Sequence, residues 1–143
     1  MPGRERGLFL FVGVRPSERA LRIGVTWSDG ALAGATLFDA LRHLGMDPSR
    51  QRYLNLYTSP ARGAETDAED EREAVGEIRR SQERGLTVVG MGRIVQRVLT
   101  REGIPHLRLR HPAARGRERL RSRYHTHARG VLTQQDRAAA RGG

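Results

Sequence analysis

The 143-residue chain has no cysteine, no lysine, few aromatic residues (5%) and no long apolar run. Without thiols, a disulfide scaffold, a thiolate zinc ribbon and a cysteine-held iron–sulfur cluster are excluded. Without lysine, all 26 basic residues are arginine, so every side-chain cation other than a protonated histidine is a planar, permanently charged donor. The longest apolar stretch, Leu8-Phe9-Leu10-Phe11-Val12-Gly13-Val14, is too short to span a bilayer. Arg4 and Arg6 precede it as in a signal peptide, but Arg15-Pro16 stands where small residues would mark cleavage, and it reads as a buried strand. A soluble, cytoplasmic protein with no membrane partner is expected.

Acidic residues are scarce in one place only. Residues 1–92 hold 13 Arg and 13 acids, whereas 93–143 hold 13 Arg and three acids, Glu102, Glu118 and Asp136, so the whole excess of +10 lies in the last third. Such a field favours a polyanion, because arginines beside phosphates release condensed counterions. Nucleic acid is the leading partner.

Four short apolar runs punctuate the chain: 8–14, 52–57, 86–90 and 106–110. The first and third are near-continuously apolar, as strands covered on both faces are; the other two alternate. Between them lie helical spacings: Leu37, Leu41 and Leu44, closed by Gly45, and Ile94, Val95, Val98 and Leu99, closed by Gly103. Residues 64–84 begin acidic and end basic, as suits a helix dipole. Strand, loop and helix repeated predict an α/β fold, a three-layer α/β/α sandwich around a mostly parallel four-stranded sheet. One domain over 1–124 is expected, with 125–143 a basic C-terminal tail or helix, partly flexible. The stretch 23–36, with the only tryptophan, reads as a long functional loop.

In open parallel sheets ligands sit beyond the carboxyl ends of the strands. Those ends here carry Gly13-Val14-Arg15-Pro16-Ser17, Asn55 with Tyr57 and Thr58, Gly90-Met91-Gly92-Arg93, and His111-Pro112-Ala113-Ala114-Arg115-Gly116. His111 could donate to an oxygen that gains negative charge, or merely cap its loop. Asn55 could read a base edge with donor and acceptor, or stitch two loops. Gly90-Met91-Gly92 has Val95 where a dinucleotide fingerprint needs its third glycine, and no P-loop is present. His125 and His127 lack an evident third ligand, so no metal and no cofactor are expected. No carboxylate pair falls on two strand ends, and the acids of 65–77 read as a solvated helix face.

These pieces, in this order, resemble the uracil-DNA glycosylase superfamily. Leu8–Ser17 is similar to the first strand and water-positioning motif, and Gly30–Leu41 to the segment lining the base pocket. Residues 52–57 are similar to the strand bearing the base-reading asparagine, 88–93 to the third strand with its glycine turn, and 111–116 to the histidine and minor-groove wedge loop. The resemblance spans 8–116. It implies that a flipped nucleotide enters a pocket formed by Gly13, Val14, Arg15, Pro16 and Leu32, with Trp27 as another possible wall. Asn55 would read the base and His111 would donate to its carbonyl oxygen. Arg115 would fill the gap left in the duplex, with Arg93, Ala114, Gly116 and Arg117 also on the DNA.

Three positions depart from that pattern. Arg15 stands where the family places an Asp or Asn for the attacking water, Val14 where some branches use Glu, and Leu32 where a stacking aromatic is expected. A guanidinium stays protonated and cannot act as base; Arg15 could instead bind a phosphate or a carbonyl of an altered base. The resemblance therefore implies a monomeric DNA glycosylase excising uracil or another non-standard base from duplex or single-stranded DNA. A catalytically inactive nucleic-acid-binding module on the same fold is the alternative, and a nucleotide-metabolism enzyme a third reading.

Overall fold

A computed structural model describes residues 8–113 and 121–133. The strands are β1 (Phe9–Gly13), β2 (Arg52–Asn55), β3 (Thr87–Met91) and β4 (Leu107–Leu109), all parallel, in the order β2-β1-β3-β4. The helices are α1 (Glu18–Ile23), α2 (Ala33–His43), α3 (Asp67–Glu83), α4 (Arg93–Arg101) and α5 (Arg121–Leu132). After β1 the chain builds β2 on one side and then crosses to build β3 on the other. That reversal puts a crevice beyond the carboxyl end of the sheet.

Alternation along β1 divides the core. Phe9 and Phe11 face one side, with Leu37, Ala40 and Leu41 of α2 and Tyr124, Ala128, Val131 and Leu132 of α5. Leu10 and Val12 face the other, with Ala74, Val75 and Ile78 of α3 and Val95, Val98 and Leu99 of α4. Each fully buried large side chain contributes about 1.5–3 kcal/mol relative to exposure. The fold is the α/β/α sandwich the four apolar runs predict.

Three local readings change. Ile94 is 40% exposed, because at 100° per residue it falls at the rim of the stripe that Val95, Val98 and Leu99 bury. A short helix, α1, occupies a stretch read without one; Ser17 Oγ caps it by accepting from the Ala20 N–H, and Gly24 closes it at φ 77°. The boundary drawn after residue 124 falls inside α5, whose residues on both sides of it are core. Arg121 further ties α5 to α2, donating from Nε and Nη2 to the Asp39 carboxylate at 2.7 and 2.9 Å. Among the described residues no helix is long and apolar enough to cross a membrane.

Candidate functional site

A cavity of about 400 Å³ opens at the carboxyl edge of the sheet. Its walls come from five places: Arg15, Pro16 and Ser17 after β1; Arg19 and Ala20 of α1; Val25–Trp27; Ala31–Gly34 at the start of α2; and Asn55, His111 and Ala113 from the two edges of the sheet. The volume lies within the range of small-molecule sites. No carboxylate lines it among the described residues.

Trp27 joins the polar groups of this cavity. Its indole Nε1–H donates to Asn55 Oδ1 at 2.8 Å, and its ring meets His111 edge-on, with centroids 5.6 Å apart at 64°. Gly13 is paired in register with Asn55, and the bond passes directly over it. A Cβ there would lie 2.7 Å from Asn55 Oδ1 and 2.8 Å from Trp27 Nε1. At Gly34, by contrast, an added Cβ would stand 3.4 Å from the Trp27 carbonyl oxygen, an ordinary van der Waals contact. Asn55 thus stitches two loops and lines the cavity at once. Its Nδ2 has no hydrogen-bond partner among the described residues.

His111 is held in one protonation state. Its Nδ1 accepts the Ala113 N–H at 3.0 Å, which requires that nitrogen to be bare and places the ring proton on Nε2. Burial pushes its pKa below the usual histidine value, favouring this neutral form. The residue before it is gripped from α5: Tyr124 Oη donates to the Arg110 carbonyl at 2.9 Å, and the Arg110 N–H donates to His127 Nε2 at 3.0 Å. Gly92 N–H and Gln96 Nε2 both donate to the Leu109 carbonyl, fixing the same segment from β3 and α4. His125 turns the other way, with Nε2 2.8 Å from Asp39 Oδ2 and its ring stacked on His43. The two α5 histidines therefore do not converge.

Leu32 forms a wall at a backbone cost. Ala31–Gly34 is a tight turn closed by Gly34 N–H donating to the Ala31 carbonyl at 2.9 Å, and Leu32 takes its first central position at φ 55°, ψ −127°. Those angles are those of a type II′ turn, where glycine is favoured. A non-glycine residue there stores about 1–3 kcal/mol, and such strain clusters at functional sites.

Arg15 is placed differently from its sequence reading. Its side chain reaches the cavity wall, but Nη1 donates to the Ser59 and Ala61 carbonyls at 2.8 and 2.6 Å, and Nη2 pairs with Asp67 Oδ2 at 3.0 Å. The guanidinium also lies over the Tyr57 ring, 4.6 Å from its centroid. It clamps the loop after β2 and is spent on the protein, which argues against a phosphate or base contact. Asp67 further accepts from Gly63 N–H, and Asp70 from Thr58 N–H and Oγ1. These acids organise a loop; they are not merely a solvated face.

Pro16 lines the cavity; Gly13 lies beneath the Trp27–Asn55 bond without lining it, and Val14 packs on the α3 and α4 side and does not line it either. Arg93 is exposed at the first position of α4, away from the cavity lining. Ala114, Arg115, Gly116 and Arg117 lie outside the described residues. Reading residues singly missed the Trp27–Asn55 bond, the Arg15–Asp67 pair and the Tyr124 and His127 grip. The lone tryptophan in a loop of small residues was the one available signal. The chain matches no protein-family model and no curated protein.

Proposed function

We propose that the chain is a DNA glycosylase that extrudes uracil or another non-standard base from DNA and cleaves its N-glycosidic bond. The observation that carries this reading is that Asn55 and a neutral His111, from opposite edges of the sheet, line one cavity beyond the strand ends. The target nucleotide leaves the stack and enters that cavity. The bond from the sugar C1′ to the base nitrogen breaks, and its electron pair stays on the base. His111 Nε2–H donates to the carbonyl oxygen where that charge gathers, and Asn55 holds the base edge. Water then adds to C1′ and gives up a proton to solvent. The arginine excess of 93–143 supplies the field for DNA, and the working form is a cytoplasmic monomer.

Duplexes carrying single modified bases, incubated with the protein and then treated with alkali, test this by strand cleavage at abasic sites. Release should fall by about 10²–10³ in His111→Ala, as for loss of one donor to a developing anion. Asn55→Ala should fall comparably. No cleavage with any base would overturn the enzyme reading. A catalytically silent nucleic-acid-binding module is the second reading, favoured by a specific observation: Arg15 is locked to Asp67, and among the described residues no carboxylate lines the cavity to hold a water. Salt-sensitive binding without release would establish it.

A further inference from the structure

We propose that Trp27 is a specificity-determining residue: by donating to Asn55 Oδ1, it fixes the site as one that reads hydrogen-bond acceptors. The ligand class that follows is a planar heterocycle with carbonyl oxygens on its edge, and a ring with an exocyclic amino group at that edge is rejected. This rests on the base-binding reading of the cavity but not on catalysis.

The indole nitrogen is a donor only. With Nε1 2.8 Å from Oδ1, rotating the Asn55 amide would set its NH₂ against another N–H, losing one bond and leaving two donors opposed. Gly13 is buried beneath the pair, with space for an added Cβ only 2.7 Å from Oδ1, so this side of the oxygen is covered by backbone. The half of the amide left to meet a ligand is Nδ2–H₂. His111 adds a second donor of fixed orientation, since its Nδ1 is taken by the Ala113 N–H.

The two hydroxyls in the lining sit at the N-terminal ends of short helices and each makes a bond there. Ser17 Oγ accepts from Ala20 N–H, and Thr26 Oγ1 donates to Asp29 Oδ2. Asn55 and His111 each present a donor of fixed orientation, and among the described residues no carboxylate lines the cavity to answer a ligand's amino group. A free asparagine reads donor and acceptor together; here the tryptophan has removed half of that vocabulary.

Binding of free bases to the whole chain, followed by NMR at millimolar ligand, tests this without any reaction. Uracil and hypoxanthine should bind at least tenfold more tightly than cytosine and adenine. Trp27→Phe keeps an aromatic wall, removes the N–H and should narrow the ratio to about threefold or less, its fold checked by thermal melting. In the wild type, which needs no variant, the single indole N–H resonance should stay slow to exchange when uracil binds. Equal binding of both classes, no binding of either, an unchanged ratio in Trp27→Phe, or loss of indole protection on uracil binding would each overturn the proposal. Selective binding without base release from duplexes would leave it standing while removing the glycosylase reading. Release without carbonyl preference would do the reverse.

Discussion

Two polar clusters flank the carboxyl end of β1, and they differ in what they leave unused. On one side, Arg15, Asp67, Thr58 and Asp70 satisfy one another and the loop between them. On the other, Asn55 and His111 each spend one atom on the protein, with Nδ2 and Nε2 lacking partners among the described residues. A saturated cluster holds a fold together. A half-saturated one, fixed in orientation and lining a cavity, is equipped to hold something else. Charge is a poor guide here, since the Arg15 guanidinium is spent on the loop after β2 while two neutral side chains keep polar atoms unpartnered among the described residues at the cavity.

Substitutions on the two sides should therefore fail in opposite ways. The largest contrast is His111→Ala, which should lose the base release described above while melting within a few degrees of the wild type. Arg15→Ala should do the opposite. Its ion pair is mostly buried, with side-chain exposures of 13% and 19%, and removing one partner strands Asp67. A loss of roughly 2–4 kcal/mol is expected, between the costs of exposed and fully buried pairs. Urea denaturation measures it, and release per folded molecule should stay within severalfold. If Arg15→Ala instead abolished release at unchanged stability, the two clusters would have to exchange roles.

A smaller effect separates them by pH. Burial lowers the His111 pKa in the fold, so its unfolded value is the higher of the two. The fold then binds fewer protons than the unfolded chain between those values. The contribution is fully present above about pH 6.5, the ordinary histidine value, and is lost as pH falls through the folded one. Base release should decline over the same acid range, because protonation takes Nδ1 from the Ala113 N–H. Urea midpoints measured from pH 7.5 to 5 should fall less steeply in His111→Ala than in the wild type. Hydrogen bonds from the Thr58 hydroxyl and N–H hold the Asp70 carboxyl below its ordinary value, so variants of Asp70 should change the profile only at lower pH.

The sheet was legible because burial on both faces leaves a pattern that needs no partner to be read: β1 and β3 are runs of apolar residues, and β2 and β4 alternate. Asn55 and His111 were legible too, since a parallel sheet sends the ends of its strands to one edge. What could not be read was hydrogen bonding between distant segments. Arg15 and Asp67 are 52 positions apart, and Trp27 and Asn55 are 28. Nothing local marks an arginine as already paired or an amide as already turned. The packing of α5 was hidden for a related reason. Its arginines dominate its composition, whereas Tyr124, Ala128, Val131 and Leu132 form a narrow stripe that shows as core only once α2 lies beside it.

The smallest expected effect concerns the cavity wall. Leu32 holds angles suited to glycine, so Leu32→Gly relieves about 1–3 kcal/mol of backbone strain. Against that stand roughly 0.5–1 kcal/mol of extra chain entropy in the unfolded state and the contacts of a half-buried side chain. The terms nearly cancel, and a net gain of about 0.5 kcal/mol is expected. Leu32→Ala keeps its Cβ, and with it the strain, while losing the contacts, so it should be destabilised by about 1 kcal/mol. The sign difference between two substitutions that both enlarge the cavity is the measurement, made by urea denaturation of both variants. If both lost stability equally, Leu32 would be an ordinary packing residue at an unstrained turn. If glycine gained stability while base binding weakened, the strain would be what the fold tolerates to keep an apolar wall opposite Asn55 and His111.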